Sequence, residues 1–178
     1  MGGLLFKTER LPAKKYYKFE RRICNRLKGN NVNFNIPRYF ENKEDFGDLD
    51  ILIPKGTIAL DIMCWLKPTL KEKVLSFLCR NTQYVIQDYF INGDVISIKY
   101  NNFQIDFIRI KEEDWDIAYN YFSFNDLGNL IRKLAHKKEL KYGNKGLQYI
   151  YRDKSGNILD KINISKDIDE ILTFLGLD

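Results

Sequence analysis

Gly47-Asp48-Leu49-Asp50-Ile51-Leu52-Ile53-Pro54 is the stretch on which the fold turns. Its apolar, β-branched tail reads as a buried strand, and Pro54, which cannot donate to a sheet ladder, stops it. Side chains two apart on a strand point to the same face. Asp48 and Asp50 therefore share one face, and Leu49, Ile51 and Ile53 share the other. A second stretch, Phe103-Gln104-Ile105-Asp106-Phe107-Ile108-Arg109-Ile110, carries an aspartate between apolar neighbours. An ionised carboxylate in such surroundings is costly unless a cation or hydrogen bonds compensate it. Three carboxylates converging without a local Lys or Arg suit a divalent, oxygen-preferring ion: Mg²⁺, with Mn²⁺ as an alternative. Two such ions about 4 Å apart would clamp the attacking and leaving oxygens of a phosphoryl transfer. Spacing alone leaves a structural alternative open, in which Asp48 is a turn residue, Asp50 faces solvent and Asp106 pairs with Arg109 or Lys99.

Outward from these strands the chain reads as helices and hairpins. Pro12 precedes residues 13–28, where Tyr16, Phe19, Ile23 and Leu27 fall on one helical stripe, and Gly29 follows the end. Residues 57–66 and 69–80 read as helices split by Pro68, the second with Val74, Leu75, Leu78 and Cys79 on its apolar face. Three alternating runs follow, Gln83–Phe90, Asp94–Tyr100 and Phe103–Ile110. Asn92-Gly93 is a type I′ hairpin signal between the first two, and Asn101-Asn102 joins the second pair. Residues 125–140 read as a helix, and Leu147–Arg152 and Ile158–Ile164 as a hairpin across Asp153-Lys154-Ser155-Gly156. Ser165 reads as the cap of a last helix, Lys166–Leu175, closed by Gly176. The expected class is α+β with a mixed or antiparallel sheet, divided into a larger lobe, residues 1–118, and a smaller one, residues 119–178.

The 178 residues suffice for one domain or two small lobes. A net charge of +5, from 29 Lys+Arg against 24 Asp+Glu, suits an anionic partner without requiring one. That charge is segregated. Nine Lys/Arg, Arg21 and Arg22 among them, lie within residues 7–28 against Glu9 and Glu20 alone. Arg132, Lys133, Lys137, Lys138, Lys141 and Lys145 lie within residues 132–145 against Glu139 alone. Each run is either a solvated face or a phosphate-binding surface. Cys24, Cys64 and Cys79 form no disulfide pattern, which fits a reducing compartment, and the lone His136 excludes most zinc sites and reads as a surface residue. No apolar run approaches the roughly 18 residues of a membrane span, and Met1–Arg10 lacks the apolar core of a secretory signal. A soluble intracellular protein of cytoplasm or nucleus is the expectation.

Gly47-Asp48-Leu49-Asp50 with its apolar tail resembles the Gly-Asp-x-Asp strand of the nucleotidyltransferase superfamily, and Phe103–Ile108 resembles its third-carboxylate strand. Tyr121-Phe122-Ser123-Phe124-Asn125-Asp126-Leu127-Gly128-Asn129 is similar to the Tyr-Phe-Thr-Gly-Ser-Asp-x-x-Asn segment of family X DNA polymerases, the relatives of DNA polymerase beta. The closing residues 166–177, an acidic turn leading to Leu-Gly-Leu, look like that family's last helix. The resemblance spans residues 34–178 and implies a nucleotidyltransferase palm with a small C-terminal nucleotide-binding lobe. It looks like a version without the N-terminal lyase domain, similar in plan to the small viral polymerases of this family. It implies a monomeric, template-directed DNA polymerase of gap-filling or repair type, acting on gapped or primer-template DNA and a deoxynucleoside triphosphate.

By the same resemblance Asp48 and Asp50 would hold two metal ions, and Asp106 would hold the catalytic one and receive the proton of the primer 3′-hydroxyl. Gly47 belongs to the same motif. Tyr121 and Phe122 would lie beside the nucleotide sugar, Asp126 beneath the base and Asn129 at its minor-groove edge, with Ser123 also counted among the nucleotide-binding residues. Lys133 would face the template. Charge clustering, rather than the resemblance, suggests Arg132, Lys137, Lys138, Lys141, Arg21 and Arg22 as nucleic-acid contacts. The sequence also departs from the family. Its Gly-Ser triphosphate motif is missing, with Pro37-Arg38 in its place and Phe40 and Glu41 at arginine positions, so Arg38 or Lys43 would have to serve as phosphate donors. The turn glycine is Phe124, and the arginine two residues before the third aspartate is Gln104. These changes keep two alternatives open: a nucleotidyltransferase acting on RNA, a small molecule or a protein, and a catalytically degenerate nucleic-acid-binding module.

Overall fold

A computed structural model describes residues 5–67 and 86–177. The expected helix at 69–80 and the start of the run Gln83–Phe90 lie outside the described residues. The class is α+β, with five α-helices and nine strands among them. The chain divides into two compact units, one within residues 1–36 and 42–109, the other within 37–41 and 110–178.

The first unit contains β1 (Leu11–Pro12), α1 (Ala13–Gly29), β2 (Asp45–Phe46), β3 (Asp48–Pro54), α2 (Ala59–Leu66), β4 (Ile86–Asn92), β5 (Val95–Tyr100) and β6 (Phe103–Ile110). Its main sheet has the order β3-β6-β5-β4, and β5 runs antiparallel to both neighbours. Alternation sorts the side chains. Leu49, Ile51 and Ile53, Ile96, Ile98 and Tyr100, and Phe103, Ile105 and Phe107 are all buried. Phe19 of α1 packs edge-on against Phe103 at 5.1 Å and lies 6.1 Å from Tyr100, so α1 covers this apolar face.

All four residues of the α1 stripe are buried, although the opposite face is crowded with cations such as Lys14, Lys18 and Arg22. Each buried apolar side chain contributes about 1.5–3 kcal/mol, whereas each exposed like-charge pair one turn apart opposes the helix by only about 0.2–0.5 kcal/mol. Burial wins. Buried Arg26 then ties α1 to α2, its guanidinium donating to the carbonyl of Leu66 at 2.7 Å and to that of Lys67. These carbonyls end α2, where a helix has unpaired acceptors and partial negative charge.

Two hairpin turns set the register. Asn101 and Asn102 both take positive φ, +52° and +59°, as a type I′ turn requires. At the other turn Asn92 pairs with Val95, so the loop is Gly93-Asp94, and only Gly93 has positive φ. That is the type II′ pattern, replacing the expected I′ turn at Asn92-Gly93.

The second unit comprises the segment 37–41, a short 3₁₀ turn, α3 (Trp115–Phe122), α4 (Leu127–Lys137), β7 (Leu140–Gly143), β8 (Gly146–Arg152), β9 (Ile158–Ser165) and α5 (Ile168–Leu175). The strands form an antiparallel sheet in that order around a core of Ile117, Ile131, Ala135, Tyr142, Leu147, Ile171 and Leu175. The lobe division drawn at residue 118 falls inside α3. The helix expected over 125–140 stops at Lys137, and Glu139 at φ +60° turns the chain into β7, a strand that the sequence pattern does not announce. The last helix is capped by Asp167 rather than Ser165: the Asp167 carboxylate accepts from the backbone N–H groups of Asp169 and Glu170 at 2.9 and 3.0 Å. Ser165 accepts from the Asp167 N–H and donates to Glu170 instead.

Gly128 sets the approach of α4 to α3. A Cβ there would lie 2.1 Å from the backbone oxygen of Tyr121, an approach only glycine permits. Gly128→Ala is expected to lower stability by about 1–3 kcal/mol, read as a reduced urea midpoint with an unchanged slope.

Candidate metal centre

The strand order, not local sequence, assembles the three carboxylates. β6 lies beside β3, and Asp48, Asp50 and Asp106 each bring an oxygen to within 4.8 Å of the others. All three are half-buried on the sheet face opposite the one that α1 covers. Asp48 is the first residue of β3 rather than part of a turn. Asp106 does not pair with Arg109, whose guanidinium donates to the carbonyls of Gly93 and Thr57.

Neutral donors hold Asp106. The register puts Ser97 of β5 directly opposite it, and the Ser97 hydroxyl bonds to its carboxylate. Gln104, two residues earlier on the same face, donates its side-chain amide to both Asp106 oxygens, at 3.0 and 2.9 Å. Gln104 and Ser97 are buried. Sequence reading gave neither a role at the site, registering Gln104 only as a missing arginine. Period-2 alternation from Asp106 and the hairpin register were the signals that could have found them.

Electrostatics here favour a cation. Burial, then the charges of Asp48 and Asp106, push the Asp50 carboxyl up to about 8. Burial raises Asp106 as well, against the hydrogen bonds from Ser97 and Gln104. The Lys43 charge opposes the rise at Asp50 only in part. Three carboxylate oxygens this close, two of them destabilised in their charged form, fit a hard divalent ion such as Mg²⁺.

The other expected residues spread over both units. Gly47 is buried between β2 and β3, and the half-buried Lys43 carries its ammonium 4.6 Å from the centre of the Phe46 ring. Arg21 and Arg22 of α1 line a groove of ≈ 680 Å³ with Trp65 and Lys67 of the α2 end. In the second unit, Tyr121 and Phe122 meet edge-on at 5.1 Å, and Tyr121 also packs on Tyr142 at 5.5 Å. Asp126 and Asn129 are exposed at the start of α4, 3.5 Å apart. Ser123 is fully buried: its hydroxyl donates to the Tyr119 carbonyl at 2.7 Å and accepts from the Arg38 N–H at 3.0 Å. Arg38 also donates to the Asn120 side chain at 2.7 Å and lies over the Phe124 ring at 5.0 Å. Phe124 takes φ +57°, in the left-handed region that favours glycine. Arg132, Lys133, Lys137, Lys138 and Lys141 are exposed on α4 and the strand after it.

No protein-family model and no curated protein matches the chain. Among the described residues no helix is long and apolar enough to cross a membrane.

The raised Asp50 value has a direct consequence for stability. Unfolded, the group titrates near 3.8, so between about 4 and 8 the folded protein holds more protons than the unfolded one. Metal-free stability therefore falls as pH rises through that window. In chelator, melting temperature is expected to be lower at pH 8 than at pH 5, and Mg²⁺ to restore it at pH 8. Asp50→Asn is expected to raise the pH 8 value in chelator, by about 2–4 °C for each kcal/mol of repulsion relieved, and to abolish the Mg²⁺ shift. A thermal scan across pH with and without Mg²⁺ checks all three outcomes.

Proposed function

We propose that this chain is a Mg²⁺-dependent nucleotidyltransferase with a family X DNA polymerase-like palm, adding a deoxynucleotide to a primer 3′-hydroxyl at a gap or primer end. The observation that carries this reading is the convergence of Asp48, Asp50 and Asp106 within 4.8 Å on one sheet face. Asp48 and Asp50 are assigned to both ions and Asp106 to one of them. Bound there, Mg²⁺ would neutralise and orient the attacking and leaving oxygens. The 3′-oxygen bonds to the α-phosphorus, the bond from that phosphorus to its bridging oxygen breaks, and pyrophosphate leaves. Asp106 accepts the hydroxyl proton. Its raised affinity for a proton suits that role.

One observation favours a second reading, transfer to RNA, a small molecule or a protein. Arg38, which stands where the family's triphosphate motif falls, spends its guanidinium on Asn120 and on the face of the Phe124 ring.

Asp106→Ala is expected to reduce Mg²⁺-dependent incorporation on gapped DNA to background, while Gln104→Ala lowers it about 10–100-fold by loosening the ligand. Undiminished incorporation by Asp106→Ala overturns the assignment. Incorporation that ignores the template base selects the second reading.

A further inference from the structure

The second unit has a groove of ≈ 910 Å³ between the C-terminal half of α4 and strands β7 and β8. The α4 wall is cationic, with Arg132, Lys133 and Lys137, and Lys141 and Arg152 add charge from the strands. Glu139 is the one carboxylate among the residues that line it. On the strand side lie Tyr149 and Tyr151, 40% and 52% exposed. They share a face of β8 with Leu147, whose side chain is in the core, so that face continues outward from the core into solvent as two aromatic rings.

We infer that this groove binds an unpaired polynucleotide strand, with bases stacked on Tyr149 and Tyr151 and phosphates on the cations of α4. Clustered positive charge alone would accept any polyanion. The tyrosines narrow the choice, because aromatic side chains beside a cationic track give unpaired bases a π-face to stack on. In a duplex those faces are taken up by neighbouring bases. Two residues along a strand advance about 6.7 Å, about twice the 3.4 Å step of a stacked strand. An extended single strand can therefore place one base on each ring, and a duplex cannot. An acidic peptide would match the charge but leave the rings unused. The inference shares with the proposed function the expectation of a nucleic-acid partner on the α4 cations, adds the two tyrosines and the preference for an unpaired strand, and requires nothing of the three aspartates.

The test uses the full chain in chelator, so that failure of nucleotide transfer and failure of strand binding are separate results. Fluorescence anisotropy is read with a labelled oligodeoxythymidylate of about 12 nucleotides, within the span of known single-strand sites. Wild-type protein is expected to bind it more tightly than a duplex of equal length. Tyr149→Ala/Tyr151→Ala should weaken single-strand binding about ten-fold or more and leave duplex binding unchanged, while Tyr149→Phe/Tyr151→Phe keeps it. Lys133→Ala/Lys137→Ala should reduce the slope of log K against log salt by about 0.7 for each phosphate that is no longer neutralised. The inference is overturned if the alanine pair binds as wild type, if the phenylalanine pair weakens binding as much as the alanine pair, or if duplex binds equally well. Tighter binding of a glutamate-rich peptide of equal charge also overturns it.

Discussion

Mutual repulsion among Asp48, Asp50 and Asp106 is the constraint around which the first unit is arranged. Two unit charges about 4 Å apart repel by about 4 kcal/mol at an effective dielectric near 20. Hydrogen bonds to a charged group return about 1.5–3 kcal/mol each, and Asp106 receives them from Ser97 and Gln104. Its proton affinity is still raised, so burial and repulsion win over the donors. The choice of donors matters. A paired arginine would cancel the charge, whereas an amide and a hydroxyl fix the carboxylate and leave the charge for a cation. The arrangement is tolerable because it is one-sided: the opposite face of the same strands is apolar and packed under α1.

Much of this was legible in sequence, for physical reasons that differ between elements. The stripe Tyr16, Phe19, Ile23 and Leu27 announces α1 because its burial outweighs everything else the helix does. Asp48 and Asp50 read as sharing a face because strand periodicity is local. That Asp106 joins them depends on β6 lying beside β3, an adjacency between segments some fifty residues apart that no local pattern encodes. Gln104 and Ser97 escaped because neutral donors leave no charge pattern; only the register set by Asn101-Asn102 shows what they touch. β7 escaped because Leu140-Lys141-Tyr142-Gly143 is only four residues long and its start reads as the end of the preceding helix; its place is fixed by Tyr142 entering the core.

The Tyr121–Asn129 block serves two ends at once. Its outer residues, Asp126 and Asn129, face solvent, while Ser123 and Gly128 are buried because α3 and α4 meet there. Ser123 bonds Tyr119 and the Arg38 backbone, so one residue of a motif read as nucleotide-binding is occupied in holding its own turn.

That turn depends on a visitor from elsewhere in the chain. The segment 37–41 sits in the second unit although the chain before and after it belongs to the first. The Phe124 N–H donates to the Arg38 carbonyl at 2.6 Å, and the Phe124 ring lies 5.4 Å from that of Phe40. Phe124 and Asn125 both take left-handed backbone, a conformation that disfavours residues with side chains and needs outside support. The rest of the second unit is contiguous from residue 110 and can collapse on local contacts, whereas the segment must close a loop of more than eighty residues. In folding terms its docking carries a loop-closure cost that the local contacts of the unit do not. A fragment begun at Ile110 would keep the second unit's core and lack the strap that holds Phe124 in place.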